Sequence, residues 1–173
     1  MVRSRHLPLL GLLSLMASQP VLACSYDGQF NNPFAESYPG ALDIAIATRE
    51  AIDAQHISKP QRLAGSKGLA RAQWWLTLLN KQWPDEVAAE SYIYLVDSQL
   101  WSKRQMDGLT IHVPPPENAQ QVMLLSEAAL GALINNELSY EQAHELQIVQ
   151  AVTQLFARFL AQSFAQSLNG LES

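Results

Sequence analysis

Apolar residues recur every three to four positions in two segments near the start of the folded part of the chain. The first segment covers residues 41 to 57 and is followed by Pro60. The second covers residues 68 to 83, shows the same period and stops at Pro84. Because this spacing places apolar side chains on one side of a helix, the pattern predicts two amphipathic helices with a proline after each.

The period changes to that of strands from residue 91 onward. Residues 91 to 96 are rich in Tyr, Ile and Val and apolar on both faces, which predicts a central strand. Residues 109 to 113 alternate apolar and polar side chains, as half-buried strands do. The pair Asp107-Gly108 between them suits a hairpin turn, because both residues accept positive φ. With a third run at residues 122 to 125, the pattern predicts a three-stranded, mainly antiparallel sheet.

The remaining sequence returns to helical spacing. Ser126 is a suitable N-cap for a helix that continues to about Ile134, and Ser139 begins the spacing of a capping box. An apolar stripe then runs through residues 140 to 169, either as one helix or as two with a break near Ile148. We therefore expect an α+β domain in which about four to five helices pack on the small sheet.

The first 23 residues have the pattern of a secretory signal. A basic start precedes an apolar run at residues 7 to 16 and an exit of small residues. That run is about half of the roughly twenty residues that a membrane-spanning helix requires. We expect export, followed by an aromatic-containing segment at residues 24 to 40 that packs on a single α+β domain at residues 41 to 173.

The signal ends in a sequence that resembles the lipobox of bacterial lipoproteins, Val21-Leu22-Ala23-Cys24. Leu22 stands where a smaller residue is usual, and the same exit would also suit ordinary signal peptidase. Cys24 is the only cysteine, so no intrachain disulfide can form and acylation would remove an exposed thiol. The resemblance implies lipid on Cys24 at the periplasmic face of a bacterial membrane. The alternative is a soluble periplasmic protein in which Cys24 is incidental.

Charge restricts the classes of partner. The whole chain has 11 basic and 16 acidic residues, and removal of the signal takes away Arg3 and Arg5. The nine basic and 16 acidic residues that remain give a net charge of −7. Because nucleic acids and anionic headgroups attract clustered cations, this balance argues against both as partners.

Motifs for catalysis or metal binding are incomplete. His144-Glu145 begins like a zinc protease helix, but Ile148 stands where the second histidine is required. Residues 65 to 68 lack the glycine before lysine of a phosphate loop and the first glycine of a nucleophile elbow. The sequence therefore predicts no catalytic residues, no metal and no cofactor, and it favours a protein that is not an enzyme.

Two segments are candidates for binding. Asp97, Trp101, Arg104 and His112 surround the predicted hairpin and could hold an anionic or aromatic ligand or a partner. The alternative is a core tryptophan beside a solvated hairpin. In residues 149 to 169 the only formal charge is on an arginine, which suggests a face covered by a partner or second copy, or else a helix buried in the monomer. The candidate partner helix contains Gln154, Phe156, Phe159 and Gln162.

Residues 126 to 149 resemble part of the sterol-carrier-like modules, over about twenty-five residues. The shared features are a leucine-rich helix, a turn of small residues and a second short helix, which in those modules contribute to an apolar cavity. Asn136 and Gln147 stand where glycines are expected. The four tryptophans and the leucine-rich helices of this chain are the features that favour a carrier of an apolar small molecule.

Three functions remain open from the sequence. The first is an exported envelope accessory protein that binds an unknown partner protein, or a second copy, or assists assembly of a membrane complex. The second is a carrier of an apolar small molecule or lipid, and the third an unrecognised periplasmic hydrolase. An exposed apolar helix face on a closed core would favour the accessory protein, and a deep apolar cavity would favour the carrier. A cleft that joins a histidine to a serine and a carboxylate would favour the third.

Overall fold

The computed structural model describes residues 38–82, 90–105, 108–117 and 121–151 of the 173-residue chain. Four α-helices are present in these ranges: α1 Ala41–Asp53, α2 Gly65–Gln82, α3 Glu127–Ile134 and α4 Tyr140–Glu145. The strands are β1 Glu90–Leu95, β2 Leu100–Gln105, β3 Gly108–Ile111, β4 Val122–Leu125 and β5 Val149–Ala151. Within the described ranges, no helix combines the length and apolar character that crossing a bilayer would require.

All five strands belong to one open sheet with the order β3-β2-β1-β4-β5. β1 and β4 are parallel, whereas the other three neighbouring pairs are antiparallel. The predicted α+β class is confirmed. The predicted three-stranded, mainly antiparallel sheet is wrong in detail, because the sheet is mixed and has two additional strands.

The two strands that were not predicted, β2 and β5, lack the sequence pattern by which strands are recognised. β2 places Ser102 and Arg104 on a buried face, so the strand lacks the apolar alternation by which strands are recognised. β5 is three residues long and lies inside the apolar stripe that predicted a helix. The chain does break near Ile148, but α4 has already ended at Glu145 and a strand follows.

The hairpin also differs from its prediction. It joins β2 to β3, with Gln105 opposite Gly108, instead of joining β1 to the strand that contains Leu109. Gly108 has a φ of 142°, in the region that glycine favours. Asp107, the other residue of the predicted turn, lies outside the described residues.

Apolar side chains fill both faces of the sheet. The larger core packs one face against α2, α3 and α4, and its fully buried members include Leu76, Ile93, Met123, Leu125 and Leu130. The smaller core lies on the opposite face and combines the start of α1 with an aromatic cluster; its members include Ile44, Tyr94, Trp101, Val122 and Leu124. The sheet is therefore the middle layer, and α1 contributes to both cores.

Helix α3 is buried along nearly its whole length. Its Gly131 allows α2 to approach closely, because a Cβ at this position would lie 3.2 Å from the indole ring of Trp75. As predicted, Ser126 is the N-cap of α3, and its hydroxyl accepts a hydrogen bond of 3.0 Å from the Ala129 amide. The Thr48 hydroxyl of α1 donates to the same oxygen at 3.0 Å. One buried serine thus caps α3 and attaches α1 to it.

We expect Ser126→Ala to lower the free energy of unfolding by about 1 to 2 kcal/mol, because it removes a helix cap and leaves the Thr48 hydroxyl without its acceptor. Chemical denaturation would measure this loss. Ser139→Ala is the matched control, since Ser139 caps α4 in an exposed capping box. Equal losses in the two variants would contradict a special role for the buried cap.

Candidate functional site

An open groove of about 660 Å³ lies between α1 on one side and α4 with β5 on the other. Its size is within the range of clefts that bind small molecules or a few side chains of a partner. Nine residues line it: Asp43, Ile46, Ala47, Glu50, His144, Glu145, Gln147, Gln150 and Ala151.

The α1 wall consists of residues at positions i, i+3, i+4 and i+7, which lie along one side of a helix. Ile46 and Ala47 form its apolar middle, and Asp43 and Glu50 lie one turn away on either side. Ile46 is 50% exposed, and the neighbouring Leu42 is 46% exposed. Within the described ranges this side of α1 is exposed, because Ile44 and Thr48, on the other side, provide the contacts with the body of the protein.

Backbone conformation positions the residues of the opposite wall, which belong to α4 and β5. The capping box at Ser139 starts α4, and Gln147 then takes a φ of 57°, which turns the chain into β5. Gly40, the N-cap of α1, has a φ of 84°, and a Cβ there would lie 3.3 Å from Oε1 of Gln150. Glycine therefore permits both the left-handed turn before α1 and its close approach to β5.

The groove is acidic around an apolar strip. Asp43, Glu50 and Glu145 contribute three carboxylates, and none of the nine lining residues is Lys or Arg. Carboxylates around a partly dehydrated cleft raise the local concentration of cations. The arrangement fits a ligand that has an apolar group between positive charges.

A second polar cluster lies where the parallel strands β1 and β4 both end. Both carboxylate oxygens of Asp97 accept the Glu127 amide hydrogen, at 3.0 and 3.1 Å. The Arg71 guanidinium donates to the Glu127 carboxylate at 3.0 Å and stacks over Trp75, 4.8 Å from the ring centroid. These bonds connect α2, α3 and the end of β1, so the cluster has an evident structural role.

Asp97 is strongly perturbed within this cluster. Desolvation by the surrounding protein, together with the negative charge of Glu127, raises the pKa of the Asp97 carboxyl to about 7. The bond from the Glu127 amide opposes this shift but is the smaller effect. More than a third of the surface of Asp97 is nevertheless exposed, so water screens part of the desolvation and of the repulsion by Glu127.

The residues predicted to form a hairpin surface do not share one face of the sheet. Trp101 is 6% exposed and packs in the smaller core, with its ring centroid 4.5 Å from that of Tyr94 and 5.1 Å from that of Tyr38. Arg104 is also 6% exposed but lies on the opposite face of the sheet, where its Nε donates to the side-chain Oδ1 of Asn80 at 3.0 Å.

Of the other two residues, His112 is joined to Trp101 through the backbone, whereas Asp97 lies in the turn after β1. The backbone amide of His112 donates to the Trp101 carbonyl at 2.9 Å, and the residue has a φ of 65° just after β3. Asp97 belongs to the α3 cluster described above. Binding by these four residues is not tested by their positions and stays a prediction, but the burial of Trp101 and Arg104 agrees with the alternative of a core tryptophan.

The other predicted site residues lie outside the described residues. These are Cys24, expected to carry lipid, and the members of the candidate partner helix, Gln154, Phe156, Phe159 and Gln162. Sequence reasoning did not identify the acidic groove. The i, i+3, i+4, i+7 pattern of Asp43, Ile46, Ala47 and Glu50 was the available signal on α1, but only the fold shows its second wall.

A second opening, of about 680 Å³, contains residue types that the hydrolase alternative requires. It brings His56, Ser58 and Glu137 together beside the end of α1. The Glu137 carboxylate accepts a bond from the Ser58 backbone amide at 3.1 Å, and no hydrogen bond joins His56 to either residue. These three residues do not form the hydrogen-bonded relay that activates a serine hydroxyl, and the hydrolase alternative stays a prediction. No cluster of three or more metal-ligating side chains occurs among residues that the structure describes.

Asn136 and Gln147, the two positions where glycines were expected, both have a left-handed backbone, with φ values of 54° and 57°. The leucine-rich helix, the turn and the short helix are present as α3, residues 135 to 139 and α4. The resemblance to sterol-carrier-like modules stays a prediction.

Comparison of the whole chain with protein-family models, curated proteins and solved structures finds no match. Function is therefore inferred from the side chains that line the groove and from the exposure and charge of surface residues.

We expect Asp97→Asn to change the dependence of stability on pH. Because folding raises the pKa of Asp97 to about 7, its protonated form favours the folded state, and this contribution is lost as the pH rises from about 4 through 7. The amide can still accept the Glu127 hydrogen bond but does not ionise. The stability of the variant minus that of the original protein should therefore be larger at pH 8 than at pH 4.

Melting temperatures measured across this pH range would test the expectation. Asp53→Asn is the control, because Asp53 pairs with Arg49 on the exposed side of α1. A difference between Asp97→Asn and the original protein that stays constant from pH 4 to pH 8 would contradict the assignment.

Proposed function

We propose that this chain is an exported envelope accessory protein that binds a basic and apolar segment of a partner protein in the groove between α1 and α4–β5. The observation that carries the proposal is the combination of exposed Ile46 with three surrounding carboxylates in one cleft. Such a surface has a physical use if a partner covers the apolar strip and neutralises the acids.

The proposed interaction divides into two contributions. Ile46 is already half-buried, so covering its exposed half would stabilise a complex by roughly 1 kcal/mol, about half of the value for a whole isoleucine side chain. Lys or Arg on the partner would meet Asp43, Glu50 and Glu145 at the rim, where charges mainly affect association rate and specificity. An apolar anchor with basic neighbours uses both contributions.

The expected position in the cell belongs to the same proposal. A signal in residues 1 to 23 would direct export, and acylation of Cys24 would hold the groove close to the membrane. In the alternative, the chain is a soluble periplasmic protein that binds the same segment without an anchor. Binding in the groove does not depend on which of these applies.

The groove is tested by placing a photo-crosslinking residue at position 46 and isolating its adducts from intact cells. We expect Glu145→Lys in this chain to lower the yield at least about fivefold, because it replaces an attractive charge by a repulsive one. The cross-linked segment should contain Lys or Arg next to apolar residues, and high salt should weaken capture.

Glu141→Lys is the matched control. Glu141 is an exposed acid one turn before Glu145 on the same helix, but it does not line the groove. The proposal requires this variant to retain the adduct. Equal loss in both variants, or an adduct with an acidic segment, would show that the groove is not the binding site.

A further inference from the structure

Basic residues are concentrated in one part of this acidic protein. Residues 54 to 84 contain five Lys and Arg residues and no Asp or Glu, although the chain as a whole has more acidic than basic residues. Most of this stretch is helix α2 and the segment that leads into it. The chain therefore has a local positive region despite its net negative charge. Net charge does not exclude anionic headgroups as partners of this region.

The exposed side of α2 has a regular composition. Lys67, Ala70, Trp74, Leu78 and Lys81 follow at intervals of three and four residues, so at 3.6 residues per turn they lie within an arc of about 80°. We call these five residues the α2 stripe. The stripe is about 21 Å long, with a lysine at each end and a tryptophan near its middle.

Burial confirms that the stripe points away from the core. Gly68, Ala72, Leu76 and Leu79 are the buried residues of α2 and lie on its opposite side. Trp74 is 59% exposed, while Lys67, Ala70 and Lys81 are exposed and Leu78 is half-buried. The helix thus presents one of its two tryptophans, Trp74, to the outside, while the other, Trp75, packs on the larger core.

An exposed tryptophan between lysines fits the surface of a membrane. Indole is apolar but has one hydrogen-bond donor, so tryptophan concentrates at the boundary between acyl chains and headgroups. Lysines beside it attract anionic lipids over a distance of about a Debye length. Arg71 is excluded from this role because it pairs with Glu127 and stacks on Trp75.

We propose that the α2 stripe rests on a membrane surface that contains anionic phospholipids, with Trp74 at the level of the headgroups and Lys67 and Lys81 next to lipid phosphates. Helix α2 would lie parallel to the surface without crossing it, as interfacial amphipathic helices do. This second surface is separate from the acidic groove, so its test does not depend on the proposed partner.

The test places an environment-sensitive dye on the stripe of the full chain. Ala70→Cys in a Cys24→Ala background provides one labelling position and removes the acylation site. We expect vesicles of phosphatidylglycerol and phosphatidylethanolamine to shift the dye emission to the blue, and vesicles of phosphatidylcholine alone to shift it much less. A dye at Glu141→Cys serves as the position control and should stay in water.

Two double variants with the same net charge distinguish vesicle binding through the stripe from a general effect of net charge on vesicle binding. Lys67→Gln with Lys81→Gln removes both lysines of the stripe, and we expect vesicle affinity to fall about tenfold or more. Gln73→Glu with Gln82→Glu makes the same change in total charge on the flanks of α2 and should have a smaller effect. Trp74→Ser should weaken binding without lowering the melting temperature, because the side chain is mostly exposed.

Several results would overturn the proposal. These are a dye at position 70 that remains in water, equal losses of affinity in the two double variants, or an equal response of the dye at position 141. A residual contribution from the N-terminal segment is common to all variants and cannot produce these differences. Melting temperatures close to the original protein would confirm that each variant is folded.

Discussion

The buried start of α3 is the constraint on which the rest of the fold depends. A helix leaves its first amide hydrogens without partners inside the helix, and α3 is too buried for water to satisfy them freely. Ser126 and Asp97 accept these hydrogens, and Arg71 pairs with Glu127 in the first turn. Because these groups come from β1, α2 and the loop after β4, satisfying the helix end also fixes the relative positions of these elements.

The same constraint determines which sides of the outer helices remain exposed. Thr48 bonds to Ser126, which turns one side of α1 toward the protein and leaves Ile46 and its neighbouring carboxylates on the other. Arg71 and Trp75 hold α2 against α3, so Trp74 points outward. The acidic groove and the basic stripe are therefore consequences of packing at α3.

The two surfaces have opposite charge and suit different partners. In the acidic groove, carboxylates surround an apolar strip, which favours a protein segment with apolar and basic residues. On the α2 stripe, two lysines flank a tryptophan along an extended line, which favours a broad anionic surface over a deep site. The two proposals are compatible, because the groove and the stripe are formed by different residues.

The sequence alone determined the features that depend on neighbouring residues. The caps at Ser126 and Ser139 were predicted because their hydrogen bonds close within three residues, and the helical period located α1 and α2. The tertiary structure decided β2, whose buried Arg104 is satisfied by Asn80 on α2, and β5, which is too short to show a period. It also created the groove, because its walls come from residues about a hundred positions apart, and no local pattern specifies which distant segments will meet.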